Sequence, residues 1–243
     1  MATADEWDEG YRRRQASNLH AELLGEGMPS SVQPFSFVPL AGLEAMAASL
    51  ALEPGQTLVD LGCGQGGPGL WLADRAGAHL VGVDHSGAAT AEASRRQQLF
   101  GGIAGARFVT ADVACTGLPG GCADAVVSVD VLQLVDNGAT MLREAARLLV
   151  PDGRIALTSW EGWGEAPDRY PRDLPTLFRN AGLRVDRYTE QPTWLERQAR
   201  IYRQAAAQDR DDPAVTALAE EGRRWQRYRD YVRRVVVGAY RSR

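Results

Sequence analysis

The chain has 243 residues, of which 44% are hydrophobic and 24% are charged, and its formal net charge is −4; this is the composition of an ordinary globular protein. All 27 basic residues are arginine, which excludes a Schiff-base lysine and a lysine-dependent phosphate loop. The chain has no run of roughly 18 apolar residues that would span a membrane and no apolar N-terminal leader, and its three cysteines lack metal-binding spacing, so we expect a cytoplasmic protein with reduced thiols.

Short apolar runs alternate with helical patterns from residue 57 onward. The predicted strands are "TLVDLG", "HLVGVD", "ARFVTAD", "DAVVSVD", "RIALTSW", "LRVDRYTEQ" and "RVVVGAY". The predicted helices between them include "PGLWLADRAG", "GAATAEASRRQQLF", "NGATMLREAARLLV" and "DLPTLFRNAG". This alternation predicts an α/β fold with a doubly wound, mostly parallel sheet of seven strands.

The last two strands predict an antiparallel hairpin that closes the sheet, with two helices inserted between them. The second of these helices begins at Asp212, followed by Pro213, and its apolar face extends to Val232. We therefore expect one domain, made of a helical N-terminal cover (1–45), a nucleotide-binding core (46–190), a helical cap insertion (191–232) and the last strand (233–243).

The glycine loop "VDLGCGQGGPG", residues 59–69, fits two cofactor patterns. Gly62, Gly64 and Gly67 spell the GxGxxG of a dinucleotide site, whereas Asp60 with Gly62, Gly64 and Gly66 spells the DxGxGxG of a loop that binds S-adenosylmethionine. The loop follows the first strand and opens a helix, so its glycines let the backbone approach a ligand. Asp84 ends the second strand, where a carboxylate can accept both hydroxyls of a ribose.

Two further features favour S-adenosylmethionine over a dinucleotide. Asp60 lies where a ligand ammonium could sit, and its charge would repel a pyrophosphate. Asp112 ends the third strand, where it could accept a hydrogen bond from the amino group of an adenine. The antiparallel hairpin also differs from a plain dinucleotide fold, which leaves a dinucleotide oxidoreductase as a disfavoured alternative.

These stretches resemble the Rossmann-like S-adenosylmethionine-dependent methyltransferases, and among them the small-molecule enzymes of natural-product pathways. The segments that carry the resemblance are "LVDLGCGQGGPGLWLA", "GVDHS", "FVTADVACTGLP", "ADAVVSVDVLQLVDN" and "MLREAARLLVPDGRIALTSW". In addition, "SNLHAELLGEG" resembles an N-terminal segment that folds over the cofactor in this family.

The resemblance implies S-adenosylmethionine as cofactor, S-adenosylhomocysteine as product and a set of contact residues. It places Asp60, Gly62, Cys63, Gly64 and Gly66 around the methionine portion, Asp84 and His85 at the ribose, Asp112 and Val113 at the adenine, and Ser128 and Gln133 on the sulfonium side.

Catalysis in this family requires little of the protein beyond alignment, because the cofactor already activates the methyl group. Many relatives carry a histidine where this chain has Gln133, and glutamine cannot act as a base. His20, in the N-terminal cover, is the remaining base candidate. Glu161, Glu165 and Asp168 are expected to be solvated loop acids. Metal-assisted relatives carry acids after the fourth strand and an Asp-Asn pair after the fifth. Asp130 meets the first requirement, but "TSW" lacks the pair, so we expect no metal.

The substrate and partners are less closely constrained. Aromatic residues in the added segments predict an apolar pocket for a sizeable small molecule, with packing of the cap as the alternative: Trp160, Trp163, Tyr170, Trp194 and Tyr202.

The basic stretch at 223–243 raises an RNA methyltransferase as an alternative, but we expect its arginines to be solvated or paired with nearby acids, without a nucleic-acid partner. A cyclase that binds the cofactor without spending it is a further alternative. The oligomeric state stays open.

Overall fold

A computed structural model describes residues 3–33, 35–101, 103–208 and 211–242. The N-terminal segment forms three helices, α1 (Ala4–Gln15), α2 (Asn18–Gly25) and α3 (Leu40–Leu50). A capping box starts α1, in which Thr3 and Glu6 each bond the backbone N–H of the other. Across the described ranges no helix is long and apolar enough to cross a membrane.

The centre of the molecule is a seven-stranded sheet with the order β3-β2-β1-β4-β5-β7-β6. Its strands are β1 (Thr57–Leu61), β2 (His79–Asp84), β3 (Gly105–Thr110), β4 (Ala123–Val129), β5 (Leu149–Gly162), β6 (Leu183–Glu190) and β7 (Val232–Arg241). The first five strands are parallel, and β7 runs antiparallel between β5 and β6. The predicted fold class, including the terminal antiparallel hairpin, is confirmed.

In the part of the chain that the structure describes, six further α-helices connect the strands or are inserted between them. They are α4 (Gly67–Ala76), α5 (Gly87–Arg96), α6 (Gly138–Leu148), α7 (Leu174–Asn180), α8 (Pro192–Ala206) and α9 (Pro213–Trp225). Side chains at their N-caps accept backbone N–H groups, namely Ser86 on α5, Asn137 on α6, Asp173 on α7 and Asp212 on α9. These caps satisfy donors that a helix start leaves free and fix where each helix begins.

Among the described residues, three apolar clusters hold these layers together. Two of them join the sheet to the helices on its faces. The third joins α2 to the inserted helices through Leu24, Phe37, Tyr202, Leu218 and Trp225. Helix α2 and the inserted pair α8 and α9 are therefore packed into one apolar cluster, although they lie far apart in sequence.

At two predicted helix ends the structure has a strand instead. The helix expected to reach Val232 ends at Trp225, and Val232 begins β7, because it pairs with Gly162 of the neighbouring strand. The last two residues of the third predicted helix, Leu149 and Val150, belong to β5, where Leu149 pairs with Ala123. In both cases a strand partner distant in sequence overrides the helical periodicity.

Candidate functional site

The loop after β1 turns tightly because its glycines take left-handed backbone angles. The φ values are 77° at Gly62 and 52° at Gly64, a region that residues with a Cβ rarely adopt. A Cβ on Gly62 would lie 2.3 Å from the Cγ2 atom of Val131, and one on Gly64 would lie 3.0 Å from the hydroxyl of Tyr11. The loop is thus pressed between the segment after β4 and the first helix.

Asp60 places a buried carboxyl group beside this loop. Its side chain is buried, and its Oδ1 atom has no hydrogen-bond partner among the described residues. Burial, with a smaller contribution from the charge of Asp84, raises the pKa of Asp60 to about 8, although the backbone N–H of Gly69 opposes the shift. A cationic group placed beside Oδ1 would satisfy this atom and lower the pKa.

Asp84 is the second carboxylate of the site. Its Oδ2 atom accepts a hydrogen bond from the backbone N–H of Gly64 at 2.8 Å, and its Oδ1 atom accepts one from the N–H of Ser86 at 3.0 Å. Burial still raises its pKa. The two backbone donors orient the carboxylate and leave each oxygen further acceptor capacity for a ligand hydroxyl.

The first helix closes over this half of the site. Asp8 accepts hydrogen bonds from the hydroxyl of Ser86 and, at 3.2 Å, from the backbone N–H of Ala88, which attaches α1 to the start of α5. One turn later, the Tyr11 ring reaches the glycine loop, and the Trp7 ring meets the ring of His85 edge to face at 6.3 Å. The start of the chain therefore forms a wall of the site.

Together these elements enclose a cavity of about 920 Å³, near the upper end of the range for small-molecule sites. Most of the predicted residues line it: His20, Asp60, Gly62, Cys63, Gly64, Asp84, His85, Asp112, Val113, Gln133, Trp160, Tyr170 and Tyr202. The fold thus collects on one cavity wall side chains that are spread along the chain from the N-terminal cover to α8.

Two predicted cofactor residues lie behind the cavity wall. Gly66, with a φ of 81°, is the N-cap of α4. Ser128 is buried within β4, and its hydroxyl donates a hydrogen bond to the Leu61 carbonyl at 2.7 Å. Both residues support the loop from outside the cavity. Gly66 makes the turn into α4, and Ser128 bonds the end of the strand before the loop.

Two of the predicted pocket tryptophans lie away from the cavity. Trp163 is 45% exposed on the loop after β5. Trp194 is buried at the start of α8, where it packs against Gly42 of α3 and the guanidinium of Arg234. Packing of the cap, the alternative interpretation, accounts for Trp194.

Glu161 differs from the expectation of a solvated loop acid. It lies within β5, is 2% exposed, and accepts hydrogen bonds from the backbone N–H of Leu174 at 2.7 Å, from the Tyr188 hydroxyl and from Arg233. Through these bonds Glu161 joins β5 to β6 and β7. It lies in the sheet because β5 extends beyond the segment that the sequence predicts as a strand. Arg233, from the basic stretch at 223–243, therefore pairs with an acid on a neighbouring strand instead of with an acid close to it in sequence.

The segment after β4 holds Gln133 at the cavity. Its side-chain amide donates to the Asp130 carbonyl at 2.7 Å, and its carbonyl oxygen accepts from the Ser159 hydroxyl at 3.3 Å. Asp130 is itself fixed, because both of its carboxylate oxygens accept hydrogen bonds from Arg234 at 2.7 Å. Hydrogen bonds thus hold Gln133 on this side of the cavity, and its amide cannot act as a base.

His20 lines the cavity from α2 and is 5% exposed. Burial, reinforced by the charge of Arg14, lowers the pKa of this imidazole to about 4. His20 is therefore neutral at pH 7, able to accept a proton but weakly basic. Within the described residues no cluster of three or more His, Cys, Asp or Glu side chains is arranged around a metal position.

Three side chains on α1 line the cavity outside the predicted set of cofactor residues: Trp7, Tyr11 and Arg14. Their spacing of four and then three residues puts them on one face of the helix. The Arg14 guanidinium stacks on the Phe35 ring, with its central carbon 4.2 Å from the ring centroid. The shared helical face was the signal in the sequence that could have identified them.

Residues 59–157 match the family model described as a methyltransferase domain. A phosphoethanolamine N-methyltransferase of Zea mays is 23% identical over 181 residues, which cover 74% of this chain and 35% of that protein. The chain spans about a quarter to a third of the length of the first curated relatives that it matches.

Solved structures show the same fold. The [4+2]-cyclase SpnF superposes with a TM-score of 0.66 and 22% identity, covering 82% of this chain and 79% of the other. A Haemonchus contortus phosphoethanolamine N-methyltransferase in complex with S-adenosyl-L-methionine superposes with a TM-score of 0.77 and 16% identity, covering 100% of this chain and 61% of the other. The family match spans the glycine loop and the strand ends that carry Asp84, Asp112 and Gln133. Residues 59–157 thus form a segment similar to the methyltransferase-domain family, on a fold shared with an S-adenosyl-L-methionine-bound methyltransferase.

Proposed function

We propose that this protein binds S-adenosylmethionine in the cavity and transfers its methyl group to a small, largely apolar acceptor. The observation that carries the proposal is the buried Asp60 carboxylate at the wall of a cavity beside a glycine loop, because its Oδ1 atom has no partner among the residues that the structure describes. A buried polar atom without a partner is costly. An α-ammonium group, as on the methionine portion of the cofactor, is the matching ligand.

The remaining polar groups of this half of the cavity fit the same cofactor. Asp84 is oriented to accept hydrogen bonds from two ribose hydroxyls, and Asp112 beside Val113 is available to the adenine. Arg14 has no carboxylate partner within 4.0 Å among the described residues and offers its in-plane donors to the methionine carboxylate, since only its face is used by Phe35.

Bound there, the cofactor would supply an activated methyl group. The residues of this chain would contribute alignment and exclusion of water, which are worth up to roughly 7–11 kcal/mol in a well-oriented reaction. Gln133 orients groups without taking a proton, and His20 is the candidate base. Because burial lowers the pKa of His20 to about 4, we assign it at most a modest part in the rate.

The acceptor side of the cavity supports an apolar substrate. Leu24, Phe37, Trp160, Tyr202 and Leu218 line it and belong to the apolar cluster between the cover and the inserted helices. A cavity of about 920 Å³ leaves room beside a nucleoside for a second organic molecule. The name of the Zea mays relative, which acts on phosphoethanolamine, supports a small-molecule acceptor as a class.

Calorimetry tests the cofactor assignment directly. S-adenosylhomocysteine should bind and NAD should not, and Asp84→Asn should weaken binding of S-adenosylhomocysteine by roughly tenfold or more, because the ribose loses charged hydrogen bonds. Glu53→Gln, at an exposed position outside the cavity, is the matched control and should bind normally. Binding of NAD alone, or an unchanged affinity of Asp84→Asn, would refute the proposal.

A second candidate function is a cyclase that binds the cofactor and leaves it intact. The observation that favours it is Gln133 at the position where many relatives carry a base, together with the fold shared with a [4+2]-cyclase. Mass spectrometry of candidate acceptors incubated with protein and S-adenosylmethionine separates the two. A product one methyl group heavier supports transfer, and a product of unchanged mass supports cyclisation.

A further inference from the structure

A group of cationic and phenolic side chains lies at the cavity wall and has no part in the cofactor assignment. We call it the distal cluster and define it as Arg169, Tyr170, Arg224 and Tyr228, all of which line the cavity. They come from the loop after β5, from α9 and from the turn that follows α9. None of them is near the glycine loop in sequence, and none is assigned to S-adenosylmethionine.

Arg169 is held by hydroxyl groups instead of by a carboxylate. Its Nη2 atom donates to the Tyr170 hydroxyl at 2.8 Å and to the Tyr228 hydroxyl at 3.1 Å, and the two hydroxyls lie 3.1 Å apart. In the described part of the chain no acid lies within ion-pair distance of Arg169 or Arg224. The Nε and Nη1 donors of Arg169 stay available to a ligand.

Glu221, an acid that lines the cavity on α9 beside Arg224, is already engaged. Its Oε1 atom accepts a hydrogen bond from the Tyr202 hydroxyl at 2.9 Å. Arg169 and Arg224 together with Glu221 carry a net formal charge of +1. An arginine with free in-plane donors, flanked by phenol hydroxyls that can also donate, is suited to a carboxylate or a phosphate.

A stacked column holds the distal cluster in place. The Arg169 guanidinium lies 4.9 Å from the centroid of the Tyr170 ring, which stacks on Trp160 at 5.4 Å with an interplanar angle of 11°. Below Trp160 lies Arg234, 5.0 Å from that ring and bonded to Asp130. The column thus runs from the cavity surface to a buried ion pair in the sheet, which reduces the entropy lost when Arg169 binds a ligand.

We propose that the acceptor carries an anionic group, a carboxylate or a phosphate, which Arg169 binds together with the hydroxyls of Tyr170 and Tyr228. The apolar body of the acceptor then lies against Trp160 and the apolar lining, with the anionic end away from Asp60. This inference rests on the proposed function, because it specifies the chemistry of the acceptor. It makes the ligand an amphiphilic organic acid instead of a neutral hydrocarbon.

Three probes with the same ring system test the proposal: naphthoate, naphthyl phosphate and naphthamide. Each is titrated by calorimetry into protein saturated with S-adenosylhomocysteine and into the free protein. At least one anionic probe should bind roughly tenfold tighter than the amide, because hydrogen bonds to charged groups are the stronger ones. The tighter of the two anions identifies the carboxylate or the phosphate as the better ligand.

The variant Arg169→Met should remove the preference for the anion and leave the affinities for naphthamide and S-adenosylhomocysteine unchanged, which also shows that the variant is folded. Arg169→Lys should keep part of the preference. Arg179→Met, at an exposed position on α7 outside the cavity, is the matched control. Equal binding of the three probes, no binding of either anion, or an equal loss of amide affinity in Arg169→Met overturns the inference. Failure of S-adenosylhomocysteine to bind counts against the proposed function instead, and the titrations of free protein still decide the anion preference.

Discussion

Arg234 of β7 donates hydrogen bonds to both carboxylate oxygens of Asp130 at 2.7 Å, and the arginine is completely buried. Trp160 and Trp194 lie 5.0 and 5.5 Å from its guanidinium and cover it. Its Nε and Nη1 atoms have no hydrogen-bond partner among the described residues. The last strand of the sheet thereby fixes the segment that carries Gln133.

This relationship predicts a large loss of stability when the cation is removed. Arg234→Met should lower the free energy of unfolding by about 3–5 kcal/mol, since it leaves the Asp130 carboxylate buried without its partner. Urea denaturation measures the change. The control Arg107→Met, on the exposed face of β3, should stay within about 0.5 kcal/mol of the native protein, and a similar loss in both variants would contradict the role of the pair.

Asp60 predicts opposite effects on stability and on binding. Its folded pKa of about 8 lies above the ordinary value of 3.8, so the folded protein disfavours the charged form. The resulting cost is absent below about pH 4, grows as the pH rises and is complete above pH 8. Asp60→Asn should therefore raise the melting temperature of the free protein, more at pH 8 than at pH 5, and abolish binding of S-adenosylhomocysteine. An equal effect at both pH values would be inconsistent with this titration.

The same group predicts that the cofactor displaces a proton. At pH 7 a carboxyl with a pKa of about 8 is mostly protonated, and an incoming ammonium lowers that pKa and releases the proton. Calorimetric titrations of S-adenosylhomocysteine in two buffers of different ionisation enthalpy measure the number released. Close to one proton is expected at pH 7 and about none at pH 9.5, and identical heats in both buffers at pH 7 would exclude the mechanism.

Arg14 predicts a difference between two ligands that share the adenosine group. Arg14→Met should weaken S-adenosylhomocysteine by roughly tenfold, because the methionine carboxylate loses a charged hydrogen-bond donor. Adenosine, which has no carboxylate, should bind the variant and the native protein equally. Arg13→Met, at the neighbouring exposed position, is the matched control. A similar loss for both ligands would point to collapse of α1 instead.

The attachment of α1 through Asp8 gives a fourth test at the site. Asp8→Ala removes its hydrogen bonds with Ser86 and Ala88, so the helix should open more often and the affinity for S-adenosylhomocysteine should fall severalfold. Glu9→Ala changes an exposed acid on the same helix and should have no effect on affinity. Faster amide hydrogen exchange in 4–15 of Asp8→Ala would link the lower affinity to opening, and unchanged exchange would separate them.

The succession of strands along the chain and the glycine loop were predictable because their signals are local. A parallel strand buried on both faces is a short apolar run whatever its neighbours are, and a loop that turns tightly needs glycine. Asp60 and Asp84 stand at strand ends, so the sheet itself brings them to one edge. The distal cluster gave no such signal, because Arg169 and Tyr228 meet only when the loop after β5 packs beside the turn after α9.

The amino-acid sequence by itself determined the sheet, the glycine loop and the carboxylates that face it, since each follows from a pattern within a few residues. Only the tertiary structure decided that Trp160 lines the cavity while Trp194 packs behind it, that Glu161 is buried, and that Arg234 pairs with Asp130. The physical reason is that an aromatic or charged side chain in a cap segment has no intrinsic preference for one neighbour. Its burial and its partner are set by which distant element covers it, and that depends on how the whole chain packs.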